Sequence, residues 1–364
     1  MAFELSIIVP TYNERDNIVP LFDAICHVLT DIDWELIFVD DDSPDGTNVV
    51  IKDLANQDDR VKCIHRLNRR GLSSACIEGI MASSSPLICV MDADLQHDEK
   101  LIPEMHAKIL NDKLDIVVAS RYFDIGSTGG LPKFRKKISR LATKISLMSM
   151  NISITDPMSG FFMIRRSFFE KVMYRVSGRG FKILLDLLMS SDERVKIAEL
   201  PYVMRSRKSG ESKLDFIVVW DFLIMLISKM VGEYIPYRFI SFIAVGSSGL
   251  FVHMLALWSM HDASNMNFTL SQSIATFVAM TTNYILNNFF TYHDLKRTGK
   301  LFWRGLLSFY LVCMIGAILN VSLATELYQR QLPWFLAGVF GALAGAIWNF
   351  TISSMFVWKK NKRI

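Results

Sequence analysis

Along the first 235 residues the apolar positions fall into short runs rich in β-branched side chains, separated by stretches of helical length. LSIIVP (5–10), ELIFVD (35–40), VKCIHR (61–66), LICVMD (87–92) and DIVVAS (115–120) each read as a strand covered on both faces, because near-continuous apolar sequence marks a buried parallel strand. Residues 17–30 and 73–82 carry the mixed pattern of helices packed on one side. Strand and helix alternating in this way predict an α/β domain with an open, mostly parallel, Rossmann-like sheet. Polar residues cluster after several strands, at 11–14, 40–42 and 92–96. That is the carboxyl edge, where such sheets bind ligands.

The pattern changes after Arg238. From Phe239 to His293 the only acidic or basic residue, histidines aside, is Asp262, and from Gly305 to Trp358 there are only Glu326 and Arg330. About 20 helical residues cross a hydrocarbon core, so four transmembrane helices are expected near 239–260, 270–292, 305–327 and 334–357. Lys296, Arg297, Lys300 and Arg304 fill one connection and Lys359, Lys360, Lys362 and Arg363 the tail, whereas the other two connections hold at most one basic residue. The excess of positive charge puts both termini and the sheet domain on the cytoplasmic side. The two hairpins read as a repeat: Phe242, Val245 and Gly249 align with Phe309, Val312 and Gly316, and Asn283 and Phe290 with Asn349 and Phe356. Asn283, Asn287, Asn288 and Asn349 then lie near the cytoplasmic ends, as interhelical hydrogen-bond partners or as a lipid-headgroup site. Residues 214–231 are apolar but short and are interrupted by Asp221 and Lys229, which suits a helix lying in the interface better than a fifth span. Residues 136–150 set Ile138, Leu141, Ile145 and Met148 on one face with Lys137, Arg140 and Lys144 elsewhere, either a headgroup-facing helix or a solvated one. The expected boundaries are thus a cytoplasmic catalytic domain at 1–213, an interfacial segment at 214–235 and a membrane domain at 236–364.

Composition supports this division. The chain has 364 residues, 51% of them hydrophobic, and Lys+Arg 40 against Asp+Glu 36; its mean hydropathy is +0.27. A net charge of +4 is too small and dispersed for a nucleic-acid binder and suits an anionic bilayer surface. Cys26, Cys63, Cys76, Cys89 and Cys313 show no metal-ligand spacing and leave one unpaired in any disulfide scheme, which suggests a reducing compartment. The opening MAFELSIIVPTYNERD lacks a basic segment and a cleavage site, so no signal peptide is expected.

The strongest chemical signal is VMDADLQHDE at 90–99. If the backbone stays extended past the strand, Asp92, Asp94 and Gln96 project to one side. Carboxylate and amide oxygens are hard donors for Mg²⁺ or Mn²⁺, and a diphosphate can complete the octahedron; the alternative is a cap for the helix that follows. In VDDDSPDGT (39–47), Asp41 is placed to accept hydrogen bonds from a base or ribose, whereas Ser43-Pro44-Asp45-Gly46 is turn chemistry. No GxGxxG or GxxxxGK[ST] follows the first strand, which argues against a dinucleotide enzyme or a P-loop ATPase.

PTYNE (10–14), DDDSPDGT (40–47), GLSSA (71–75), DADLQH (92–97), SRY (120–122), DPMSGFF (156–162), GFKIL (180–184) and R-x-x-G-x-S-K (207–213) together resemble the family 2 glycosyltransferases of GT-A fold. Within them they resemble the dolichol- or polyprenol-phosphate mannose synthases, and the last four helices resemble a GtrA-type membrane domain. The resemblance implies that Pro10, Tyr12, Glu14, Val39 and Asp41 hold the nucleoside. It implies that Asp92, Ala93, Asp94 and Gln96 form the diphosphate and metal site, with Mg²⁺ or Mn²⁺ on Asp92, Asp94 and Gln96. Arg121, Arg135 and Ser139 match positions near the transferring sugar and the acceptor phosphate, with Asp94, Arg121 and Arg135 as the catalytic set. Lys182, Arg207 and Lys213 resemble the basic residues that close over donor phosphates. One departure is visible: the family commonly has Pro-Pro after its Gln-His, and here Asp98-Glu99 follow His97. The implied reaction is inverting transfer of mannose from GDP-mannose to a polyprenyl phosphate at the cytoplasmic face, by a multi-pass membrane protein. Rival readings are a UDP-sugar polyprenyl-phosphate transferase and a lipid flippase or scaffold with a vestigial transferase domain; a processive polysaccharide synthase is disfavoured because Q-x-x-R-W is absent.

Overall fold

The computed structural model describes residues 3–121, 154–178, 180, 182–205, 216–231, 235–264, 266, 268–332 and 334–358. The chain divides into two compact units, Met1–Met230 and Val231–Ile364.

The first unit is built on β1 (Leu5–Thr11), β2 (Trp34–Asp40), β3 (Val61–His65), β4 (Leu87–Val90), β5 (Ile116–Ser120), β6 (Phe162–Arg165) and β7 (Ile197–Pro201). They form one sheet in the order β3-β2-β1-β4-β6-β5-β7. β1 pairs in parallel with β2 and β4, and β5 with β7, but β6 runs antiparallel between β4 and β5. The sheet is therefore mixed at that point, and β6 and β7 are strands that the apolar runs did not announce. Side chains alternate across β1: Leu5, Ile7 and Val9 face one layer and Ile8 the other. The first layer is closed by α1 (Ile18–Val28), α2 (Thr47–Ala55) and α4 (Ile102–Asn111), the second by α3 (Leu72–Ala82), α5 (Arg166–Val172) and α6 (Ile183–Met189). β1 is flanked by β2 on one side and β4 on the other, so the chain's direction of progress reverses there. A crevice opens at the carboxyl ends of such strands.

A further helix, α7 (Phe216–Val231), belongs mainly to this unit. It buries Met225 and Leu226 against Leu185 of α6. Asp221 and Lys229 break its apolar run, and Lys229 proves to be inside: its Nζ lies 3.0 Å from Asp186 Oδ1 and donates to Ser190 Oγ at 2.7 Å. Asp186 is fully buried and also accepts from the backbone N–H of Ser177. Leu223 and Ile227 stay exposed on the opposite face.

The second unit has four helices, α8 (Tyr237–Trp258), α9 (Phe268–Leu286), α10 (Gly299–Gln329) and α11 (Trp334–Ile352). α8 packs along α9 and α10 along α11. Among the described residues no helix is long and apolar enough to cross a membrane. The lengths, 22, 19, 31 and 19 residues, bracket the roughly 20 needed. Polar and small residues such as Ser247, Ser248, Thr281 and Asn283 are interspersed through them. The four expected spans are thus present as helices, but their own apolarity does not establish a crossing.

The internal repeat is visible in three dimensions. Asn283 Oδ1 fills the space that a methyl on Gly249 would need, and Asn349 Oδ1 stands in the same relation to Gly316. Each hairpin ends in a wider, π-type turn, at Asn287–Thr291 and Ser353–Val357. The residues that follow, Tyr292 and Trp358, stack on each other with ring centroids 4.2 Å apart and planes 4° from parallel.

Candidate active site

Three carboxyl-edge segments meet at the crevice. The turn after β1 is tied to the turn after β2 by consecutive backbone N–H groups: Asn13 donates to Ser43 Oγ at 3.0 Å, Glu14 to Thr47 Oγ1 at 3.1 Å and Arg15 to Asp45 Oδ2 at 3.3 Å. The turn residues of SPDG thus hold PTYNE in place. Asp40, fully buried, accepts from Ser43 N–H at 3.0 Å and anchors that turn to the strand.

On the nucleoside side, Pro10 sits beside Val39 in register. Val39 is fully buried, with its side chain in the core beside Ile8 and Ile37. Asp41 is also buried; Oδ1 accepts from Arg66 at 2.8 Å and Oδ2 from the Gly71 N–H at 2.7 Å. Burial raises the pKa of Asp41, while the Gly71 N–H and Arg66 oppose that rise. Arg66, itself 2% exposed, also donates to Ser74 Oγ at 2.6 Å and so links the turn after β2 to α3. Tyr12 is covered by the Arg70 guanidinium at 4.4 Å from its ring centroid, and Glu14 Oε2 accepts from Asn17 at 2.7 Å. Arg66 and Arg70 were not picked out in sequence; the only signal is their place just before GLSSA.

The acidic segment turns instead of running on. Leu95 has φ +60°, so the backbone leaves the extended conformation after Asp94. The expectation that Asp92, Asp94 and Gln96 share the face of an extended strand is thereby corrected, because Gln96 N–H donates to Asp94 Oδ1 at 3.2 Å and closes a local turn. Asp94 is buried, as is Ala93, while the Asp92 side chain is 37% exposed. His97, buried beneath them, accepts the Asp92 N–H on Nδ1 at 3.1 Å, stacks on Phe161 at 5.1 Å and meets Tyr202 edge-on. Burial holds the His97 pKa below its ordinary value, against the pull of Asp92 and Asp94. Gly160, in DPMSGFF, is as close as a residue can come: a methyl there would lie 3.0 Å from Asp92 Oδ2.

Arg121, at the end of β5, grips Asp156 with two parallel bonds, Nε to Oδ2 at 2.7 Å and Nη2 to Oδ1 at 2.9 Å. Asp156 is 1% exposed at its side chain, and its backbone N–H is held by Glu199 of β7 at 3.0 Å. Lys182 Nζ donates to Met158 O at 3.3 Å. Burial first, and then the Arg121 charge, push its pKa down; Asp156 and Asp92 act the other way. Lys182 therefore lies within electrostatic reach of Asp92, Arg121 and Asp156, and His97 and Tyr202, supports that sequence reasoning missed, lie within reach of Asp92, Asp94, Arg121 and Asp156. Arg135, Ser139, Arg207 and Lys213 lie outside the described residues.

Asp98-Glu99, where the family resemblance leads one to expect Pro-Pro, have a partner. Arg205 donates to Asp98 Oδ1 and Glu99 Oε2, each at 2.6 Å. Its backbone N–H donates to Gln96 O, and its carbonyl accepts from Gln96 Nε2, both at 3.0 Å. Burial alone would raise the Glu99 pKa, but the Arg205 bond holds it below the usual value. A pair of ion pairs here stiffens the loop that proline rings would otherwise stiffen.

Among the described residues there is no group of three or more His, Cys, Asp or Glu that could hold a metal ion. The Asp92 and Asp94 carboxylates, the first partly open, are oxygen donors of the kind that suits a hard divalent cation, and the Gln96 side chain is turned by its Nε2 bond to Arg205 O.

The Glycosyl transferase family 2 model matches residues 6–173, and the GtrA/DPMS transmembrane-domain model matches residues 241–358. A dolichol-phosphate mannosyltransferase of Pyrococcus furiosus is 34% identical over 362 residues, 98% of this chain and 99% of that protein. The chain belongs to the dolichol-phosphate mannosyltransferase family. A yeast member, from Saccharomyces cerevisiae, is 35% identical over 257 residues, covering 68% of this chain and 94% of its own length. Among solved structures, glucosyl-3-phosphoglycerate synthase from Mycobacterium tuberculosis, in complex with Mn²⁺, UDP-glucose and phosphoglyceric acid, superimposes with a TM-score of 0.50 at 18% identity, over 64% of this chain and 81% of that one. That likeness establishes the GT-A fold. Membership of the mannosyltransferase family also identifies the chain as a family 2 glycosyltransferase with a membrane domain.

Proposed function

We propose that this chain transfers mannose from GDP-mannose to a polyprenyl (dolichyl) phosphate, with inversion at the anomeric carbon, at the cytoplasmic face of a membrane. The observation that carries the reading is the clustering of Asp92 with an Asp156-locked Arg121 and with Lys182 after β4 and β5, Asp94 standing beside Asp92 and His97, in a chain that matches a dolichol-phosphate mannosyltransferase over nearly its whole length.

The acceptor's chemistry explains what is required. A phosphate monoester has its second pKa near 6, so its oxygen is already anionic at neutral pH and no strong base is needed. The difficulty is to bring two phosphate groups of like charge together in line. Asp92, Asp94 and Gln96 would hold Mg²⁺ or Mn²⁺, which supplies positive charge against the departing nucleoside diphosphate. Arg121, its guanidinium plane set by Asp156, would supply the positive charge that meets the acceptor phosphate. Lys182, with Arg207 and Lys213 from the R-x-x-G-x-S-K segment, neutralises donor phosphates. Pro10, Tyr12, Glu14 and Asp41 frame the nucleoside, Val39 by its strand position. Arg135 and Ser139 complete the acceptor-phosphate site. Direct attack on an α-linked donor then gives a β-linked lipid product.

The lipid acceptor stays in the bilayer, because each CH₂ withdrawn into water costs about 0.8 kcal/mol. The second unit is read as four crossing helices with both termini cytoplasmic. Supporting this are the basic connection at 293–304, the exposed apolar outer faces such as Phe251, Leu307, Leu311 and Ile318, and the match to a transmembrane-domain model.

The test is donor competition on the purified full chain in detergent: GDP-mannose and UDP-glucose offered together with a polyprenyl phosphate and Mn²⁺, the lipid product read by mass and the released nucleotide identified. Mannosyl lipid with GDP is expected. Preference for UDP-glucose, or release of nucleotide without a glycolipid, would overturn the reading. Asp94→Ala should abolish the Mn²⁺-dependent part of donor affinity in a binding titration.

A further inference from the structure

An open hollow of about 280 Å³ lies in the second unit at the start of α10, and no residue of the candidate active site lines it. Its lining is largely apolar, from Phe289, Phe302 and Trp303, and Lys296 and Arg297 line it as well. The Lys296 ammonium sits 4.0 Å from the centre of the Phe289 ring. Neither cation is ion-paired among the described residues.

The loop that carries them is held rigidly from within. Asn288, 1% exposed, accepts the Arg297 N–H on Oδ1 at 2.8 Å and donates from Nδ2 to the Arg297 carbonyl at 3.1 Å; Trp358 Nε1 adds a second bond to Oδ1 at 3.1 Å. Tyr284 donates to Phe302 O at 2.7 Å and so pins the first turn of α10 on the other side. A buried carboxamide, an indole and a phenol hold the segment that sets these two cations beside an apolar hollow. Charge alone at a membrane surface would require none of this. Leu301, Trp303 and Leu307, all at least half exposed, continue the apolar surface along α10.

We infer that this cavity binds the phosphate-bearing headgroup of an anionic lipid, with Lys296 and Arg297 on the phosphate and the upper part of the chain along Phe302 and Trp303. The shape and charge decide the occupant: the cations match a phosphate, and an apolar floor continuous with an apolar helix face matches a hydrocarbon chain, which free phosphate lacks. This rests on the membrane reading of the second unit given above.

The test uses the full chain in phosphatidylcholine nanodiscs doped with phosphatidylglycerol. Lipids retained after gentle detergent extraction are counted by native mass spectrometry for the wild type, the Lys296→Gln/Arg297→Gln double variant and the control Arg330→Gln. Retained phosphatidylglycerol should fall roughly tenfold in the double variant, while Arg330→Gln retains as much as the wild type. Added inorganic phosphate should not displace it. Equal retention by the double variant and the wild type, or displacement by millimolar phosphate, would overturn the site. Asn288→Ala should lower retention in the same direction. Release of the whole chain from membranes by alkaline carbonate would instead overturn the membrane reading itself, so the two failures are separable.

Discussion

At the scale of single residues, the side chains that do chemistry and those that hold them have different visibility. Asp92, Asp94 and Arg121 stand in short polar motifs after apolar runs, and the contrast makes them legible. His97, Asp156, Arg66 and Tyr202 act through partners 5 to 105 positions away in the chain, and no local pattern reveals such partners. Asp156 shows the consequence. Asp156→Asn replaces two carboxylate acceptors of Arg121 by one neutral amide oxygen, so transfer should fall about 10²-fold with donor affinity little changed. The unit should also lose about 2 kcal/mol of stability as a charged hydrogen-bond pair is broken. Turnover and calorimetric titration on the same sample check both halves. Gly160→Ala works differently, because the added methyl meets Asp92 Oδ2 at 3.0 Å. The partly exposed carboxylate can swing away, so the melting temperature should hold within a few degrees while Mn²⁺-dependent donor binding weakens; an unchanged titration would mean that Asp92 does not contact the ion.

Among the elements, β1, β2, β4 and β5 were readable because they are buried almost throughout, and β3, an edge strand buried only at Val61, was readable from its alternating pattern. β6 is four residues, ending in Arg165, and β7 is only partly buried, so neither carries a run long enough to declare itself. The antiparallel insertion of β6 likewise has no local signature, since it is set by pairing with β4 and β5. In α7, two charges looked like interruptions of an apolar helix. One of them instead fastens that helix to α6 through Asp186. Lys229→Met should cost about 3–5 kcal/mol, because Asp186 is left charged and buried. Adding Asp186→Asn should restore part of the loss. Urea melts of the three proteins decide this: a single variant as stable as the wild type would show that the ion pair does not hold the helix.

Taken as a whole, the chain joins a catalytic unit whose polar residues are concentrated at one sheet edge to a helical unit assembled from two like hairpins. The sequence alignment of the hairpins rested on a few identities, and the structure adds the matched Gly–Asn contacts, turns and stacked rings. Gly316→Leu should force Asn349 out of its place beside α10 and spread the second hairpin. The expected result is loss of monodisperse protein on size exclusion after extraction, while donor binding by the first unit survives. Loss of both together would mean that the first unit cannot stand without the second.

The likeness of the hairpins also has a limit. An assembly of two identical hairpins would repeat every bond twice, yet here the Trp358 indole reaches Asn288 and the position matching Asn288 in the second copy is Ser354. The segment at 293–304 that links the hairpins occurs once, so a substitution of the carboxamide that steadies it should leave the second hairpin's Gly316–Asn349 contact in place.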